Sequence, residues 1–208
     1  MEAVATRREE SAREAAAAFG ARTWHTDPFA MIQDRSIDIV TVAVKVPDHR
    51  EYVLAALEAG KAVYCEAPLG SSPAETRMLA ASTQTGHSVI GLQGRLNPSV
   101  RRAAQIIAEG RIGRPLNARV VSTSSAFGAA STSAYEYFEK KESGASLLTI
   151  TAGRTLDLVE ALLGEITAVD ARTETLWRTP SSSTQVDRHA GKYPTMSMSW
   201  PGPRQERS

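Results

Sequence analysis

Several things are scarce in this chain of 208 residues. It has a single cysteine, Cys65, which excludes an internal disulfide framework and suits a reducing cytoplasm. Its 24 Lys and Arg nearly balance 23 Asp and Glu, leaving a formal charge of +1. The one-signed field that draws nucleic acid or anionic membrane is therefore missing. No apolar run approaches the ~20 residues that cross a bilayer. Met1 to Glu14 is charged and lacks the apolar core of a signal peptide. Among 14 glycines there is no G-x-G triplet, the turn that lets backbone N–H groups approach a pyrophosphate. His25, His87 and His189 show no ligand spacing with the cysteine or with clustered carboxylates, so no metal site is expected. The chain reads as a cytoplasmic globular protein with no affinity for nucleic acid or membrane.

What is present is a rhythm of strands and helices. Ala3 to Thr6 is a short strand. Glu9 to Phe19 is an Ala-rich helix closed by Gly20. Ile37 to Val46 (IDIVTVAVKV) is a nearly unbroken β-branched run, the pattern of a strand buried on both faces of a parallel sheet. Pro47 and Asp48 start a helix that stops at Gly60, and Ala62 to Cys65 is a further strand. Ser72-Pro73-Ala74-Glu75 is a capping box with proline at the first helical position, opening a helix to about Thr85. Ser88 to Leu92 is a strand, and Asn97-Pro98 caps a helix ending near Gly110. Short links between alternating elements predict a doubly wound, Rossmann-type parallel sheet over 1–114, lacking its first strand–helix unit.

After Pro115 the rhythm changes. Asn117 to Ser125 alternates like a half-buried strand, Gly144 to Leu163 is a long apolar helix, and Ile166 to Trp177 is strand-like. Residues 115–178 therefore read as a partial α+β domain with an open sheet. From 179 to 208 apolar content and periodicity fall away, predicting a loop and disordered tail rather than further strands.

Ligands of open α/β sheets bind beyond the carboxyl ends of the strands, so residues there are the candidates. Thr6 and Arg7 (with Arg8) follow the strand whose end meets an adenosine ribose in such folds. A guanidinium there can pair with a 2′-phosphate, or the segment is simply a solvated helix start. Lys45, Val46, Pro47 and His49 follow the long strand, where His49 is either structural or functional. Glu66 and Pro68 follow the next strand, and Arg95 the last. Tyr135, Tyr137, Phe138, Lys140 and Lys141 lie near a cleft or, alternatively, on a surface or interface.

Three motifs, in order, carry a family resemblance: Val42 to His49 (V-x-V-K-V-P-x-H), Cys65 to Gly70 (C-E-x-P-L-G) and Gly91 to Pro98 (G-L-Q-x-R-x-x-P). Together they resemble the Gfo/Idh/MocA oxidoreductases, and within them the branch of the fungal galactose-pathway repressor, which keeps the fold and cofactor cleft without dehydrogenase activity. The resemblance implies NADP or NAD as cofactor, bound weakly or not at all without the glycine turn. It also implies a sugar-like small-molecule ligand and a homodimer through the second domain. In the enzymes a lysine of an E-K-P motif sits beside the nicotinamide; the matching residue here is Ala67. A second-domain helix supplies an Asp, a His four residues on and an Asp three further; the matching residues are Ile150, Arg154 and Asp157. Alanine and isoleucine hold no exchangeable side-chain proton, and arginine releases none at neutral pH. No catalytic residue is therefore assigned. A ligand-sensing or regulatory scaffold is expected, against two alternatives: an active sugar or cyclitol oxidoreductase, and a truncated reading frame.

Overall fold

The computed structural model describes residues 1–83, 87–124, 127, 133–175 and 194–198. The chain divides into two compact units, Met1–Gly91 and Leu92–Ser208. Among the described residues no helix is long and apolar enough to cross a membrane.

The first unit runs β1 (Ala3–Ala5), α1 (Glu9–Phe19), β2 (Thr23–His25), α2 (Pro28–Ile32), β3 (Ile39–Val42), α3 (His49–Glu58), β4 (Ala62–Glu66), α4 (Pro73–Ser82) and β5 (Ser88–Gly91). Its pairings are all parallel: β1 with β2, and β3-β4-β5 in that order. This is the expected α/β class, with its parallel strands in two hydrogen-bonded sets. Local chemistry explains the helix ends. Gly20 takes the left-handed conformation (φ 65°), and Ala21 N donates to the Ala16 carbonyl to finish α1. Asp27 accepts from Phe29 N at 2.9 Å to open α2, a helix that propensity alone did not reveal. Ser72 accepts from Glu75 N at 3.2 Å, while Glu75 reaches back to Ser71 N at 2.7 Å, closing a capping box shifted by one residue.

The long β-branched run pairs only over Ile39–Val42 and then turns into a 3-10 segment at Val46–Asp48. It is not buried on both faces. Val40 and Val42 are buried, whereas Ile39 is 63% exposed. Helix α3 covers one face of the sheet, and period-2 alternation sends successive side chains to opposite sides. Val63 and Cys65 of β4 join the covered face, where Ile32, Val53, Ala56 and Leu79 complete the core. Lys61 ties the floor of this unit together, its Nζ donating to the Asp34 and Ile37 carbonyls at 2.8 and 2.7 Å.

In the second unit, α5 (Pro98–Ala108) packs on α6 (Gly153–Leu163). Asn97 caps α5 by accepting from Ser99 N at 2.9 Å. The long helix expected from Gly144 instead begins as a π-helical turn over Leu147–Ala152, capped reciprocally by Ser146 and Thr149, before continuing as α6. Residues 117–124, expected as a strand, form no ladder among the described residues. The strand expected over 166–177 narrows to β6 (Ala171–Thr175). It pairs antiparallel with β7 (Pro194–Met198), in a segment expected to be loop. The sequence PTMSM alternates polar and apolar residues, with its proline at the first strand position, where a missing N–H is tolerated. The rest of the predicted tail, like Ser125 and residues 176–193, lies outside the described residues.

Leu79 of α4 is fully buried in the core cluster with Val53, Val63 and Cys65. Leu79→Ala is expected to cost about 2–5 kcal/mol, read as a lowered midpoint in urea unfolding of the chain.

Candidate functional site at the strand carboxyl ends

The carboxyl ends of β3 and β4 are joined through one imidazole. His49, at the start of α3, is 1% exposed. Its Nδ1 lies 3.0 Å from the Pro68 carbonyl and its Nε2 lies 3.1 Å from the Val44 carbonyl. A neutral ring carries one N–H and donates to one of these carbonyls; the cation donates to both. Both nitrogens are thus turned to main chain, so His49 is a brace between two loops and offers no ring atom to a ligand. Of the two readings the sequence left open for His49, this geometry supplies the structural one. Pro68 likewise serves through its carbonyl, after a cis Ala67–Pro68 bond.

Cys65 lies under the same brace, its Sγ 3.4 Å from His49 Nδ1 and 3.4 Å from the Glu66 carbonyl. Burial, reinforced by the neighbouring Glu66 charge, pushes the thiol up to about 12 from an ordinary value near 9. Glu66 is half-buried at the end of β4, and Gly91 stands beside it in register on β5. A Cβ on Gly91 would meet Tyr64 Oη at 2.9 Å, which explains a glycine at that crossing.

At the carboxyl end of β1, Thr6 Oγ1 donates to the Arg8 carbonyl at 2.9 Å and meets Ser11 Oγ at 2.7 Å. Arg7 reaches across to Asp48, Nη2 to Oδ2 at 2.7 Å. Thr6, Arg7, Lys45, Val46, Pro47, Glu66 and Pro68 therefore do gather at one edge of the first unit. Lys45 and Pro47 are exposed, whereas Val46 is buried and contributes packing. Sequence reasoning missed Asp48, although aspartate beside a proline at a helix start is a recognisable signal of a polar turn. The first turn of α1 carries Glu9 and Glu10, which complement its partial positive charge and disfavour an anion there.

The remaining candidates lie in the second unit. Arg95 Nε donates to Asp157 Oδ1 at 2.9 Å, and its Nη2 donates to the same oxygen. Asp157 is 6% exposed. Its hydrogen bond strengthens the Arg95 guanidinium's hold on its proton. Arg95 is therefore the counter-ion of a buried carboxylate. Ile150 falls within the π-helical turn, and Arg154 is exposed one turn on. Phe138 is buried and stacks on Phe127 at 4.8 Å, with Tyr135 and Tyr137 against it. The aromatic segment is thus a packing cluster. Among the described residues no group of His, Cys, Asp or Glu is placed to hold a metal ion.

Parallel strands with polar residues gathered at their carboxyl ends, followed by a unit of helices and an antiparallel strand pair, define a Rossmann-type α/β architecture with a second unit. Residues 1–93 match the family described as "Oxidoreductase family, NAD-binding Rossmann fold", and residues 98–197 match "Gal80p, C-terminal domain". The chain is 36% identical over 183 residues to "Dehydrogenase aclE" of Aspergillus oryzae, covering 86% of this chain and 50% of that protein. It is 30% identical over 148 residues to the galactose/lactose metabolism regulatory protein GAL80 of Kluyveromyces lactis, covering 66% of this chain and 32% of the regulator. A solved levoglucosan dehydrogenase, in complex with NADH and levoglucosan, is similar with a TM-score of 0.74 and 28% identity, over 84% of this chain and 48% of that one. The chain belongs to the Gfo/Idh/MocA oxidoreductase family and has a second unit of the Gal80 type. It spans about half the length of the relatives it matches.

Two outcomes follow from the brace. His49→Ala removes a buried ring and its hydrogen bond to the Val44 or Pro68 carbonyl and is expected to lower stability by about 1–3 kcal/mol, while His49→Gln, which keeps a donor, recovers part of the loss in the same denaturant titration. The folded state holds Cys65 protonated well above the alkaline range in which an unfolded thiol ionises. Stability is therefore full below about pH 8.5 and falls as pH rises towards about 12. Cys65→Ser should flatten that alkaline decline in pH-dependent unfolding curves.

Proposed function

We propose that this chain is an oxidoreductase-fold scaffold that takes the adenosine half of a nicotinamide dinucleotide at the β1 and β3 ends and does not dehydrogenate a polyol. The fit to a cofactor is partial. Arg7, Thr6 and the loop from Lys45 to Asp48 offer hydrogen-bonding groups suited to an adenosine ribose. NAD or NADP would meet them through its adenosine end. When bound, such a dinucleotide supplies hydride acceptance or donation.

The observation that carries the loss of chemistry is the set of side chains standing where the family's enzymes move protons. Ala67 is buried at the end of β4 with no titratable atom. Ile150 is apolar, Arg154 is a permanent cation, and Asp157 is engaged by Arg95. General acid–base catalysis needs a side chain that can exchange a proton with substrate; Ala67 and Ile150 have none to exchange, and arginine does not release one at neutral pH. The scaffold reading also draws on the similarity to the Gal80 regulator, and it makes the ligand sugar-like, after the substrates named for relatives such as levoglucosan dehydrogenase. Leu116, Val120 and Val121 are exposed apolar residues in the second unit, and they support self-association into a dimer through it. The similarity to "Dehydrogenase aclE" and "Inositol 2-dehydrogenase 2" favours the second reading, an active sugar or cyclitol dehydrogenase.

A panel of hexoses, anhydrosugars and inositols, incubated with the chain and either NAD+ or NADP+, separates the two. No growth of reduced-nicotinamide absorbance is expected with any member. Steady formation of NADH or NADPH above the no-enzyme blank with even one sugar rejects the scaffold reading and establishes the enzyme.

A further inference from the structure

Asp48 closes the 3-10 turn Val46–Asp48 with a helical backbone and leads directly into α3. Its side chain caps neither helix. It takes instead the Arg7 guanidinium, 41 residues earlier in the chain, at 2.7 Å. The Arg7 side chain is 74% exposed and that of Asp48 28%, so the pair lies across the surface between the ends of β1 and β3.

The charge around it is negative. Asp48 lines a cavity of about 700 Å3 with Glu51 and Glu58, opposed there by Arg50 alone, over a floor that includes Phe29 and Leu54. A phosphate ester brought to Arg7 would therefore meet a guanidinium already neutralised, beside a carboxylate that repels it. A free ribose hydroxyl meets no such penalty, and an aspartate oxygen is a suitable acceptor for it.

We propose that Asp48 is a specificity-determining residue that sets this site against a 2′-phosphorylated adenosine by holding Arg7. The inference rests on the reading of the strand ends as an adenosine site, and it reverses the preference that the arginine alone suggests. Release of Arg7 from Asp48 converts the site to one that favours the 2′-phosphate.

The test needs only the adenosine half of the cofactor, so it is independent of the pyrophosphate turn. The full chain, Asp48→Asn and the double variant Arg7→Met with Asp48→Asn are titrated with 5′-AMP and with adenosine 2′,5′-bisphosphate, by calorimetry or ligand-observed NMR at fixed ionic strength. The unaltered chain is expected to bind the two nucleotides within about twofold of each other. Asp48→Asn should shift the ratio of the two affinities by about fivefold or more in favour of the bisphosphate, and the double variant should lose that shift. Three results overturn the proposal while leaving the adenosine site standing: a strong preference of the unaltered chain for the bisphosphate, an unchanged ratio in Asp48→Asn, or a gain that persists without Arg7. Absence of binding by either nucleotide to every variant overturns the adenosine site itself, and the proposal with it.

Discussion

The first unit is organised by a bond pair that crosses its strand ends. His49 sits at the start of α3 and faces the carbonyls of Val44 and Pro68 from its two ring nitrogens. Loops that leave the carboxyl ends of adjacent parallel strands expose main-chain carbonyls that no ladder satisfies. One buried imidazole meets one from each loop. Cys65, packed beneath the ring, closes the arrangement from the sheet side. The loops after β3 and β4, which carry Lys45, Pro47 and Pro68, are thus joined through that ring.

A second constraint is electrostatic and lies in the open. Arg7 and Asp48 connect the ends of β1 and β3, strands that belong to different hydrogen-bonded sets. Ala3 of β1 packs against the core that includes Val40 and Val42 of β3, so the two sets share apolar contacts as well as this ion pair. An exposed pair adds little stability. Its consequence is for recognition, because it determines whether the guanidinium stands free or neutralised at the position where a ribose would lie. In the second unit the Arg95–Asp157 pair differs in kind: its carboxylate is buried, and removing the arginine would leave a charge without compensation.

The motifs that carry family membership can be read one residue at a time. The scaffold motifs are intact, and their physical roles are visible: Pro68 presents a carbonyl to His49, Gly91 lets β5 pass Tyr64, and Asn97 caps α5. Ala67 packs at the buried end of β4, and Ile150 lies in the π-helical turn that leads into α6. The proposed loss of proton transfer rests on the types of these side chains and of Arg154, and the fold does not depend on it.

By itself the sequence determined the helices whose ends carry their own chemistry. Gly20, Ser72-Pro73 and Asn97-Pro98 are local signals, and each acts through bonds within a few residues. The order of strands and helices, and hence the parallel α/β class, was legible for the same reason. The tertiary structure alone decided what depends on partners distant in the chain. It paired only part of the β-branched run from Ile37, because β4 and helix α3 settle which residues find a ladder and a cover. It drew β7 from a segment too polar to announce itself, since an antiparallel partner supplies the hydrogen bonds that composition does not reveal. It also assigned His49, Arg7 and Arg95 to main chain, Asp48 and Asp157. A side chain's type states what it can bind, but only the folded chain states which atoms stand within 3 Å of it.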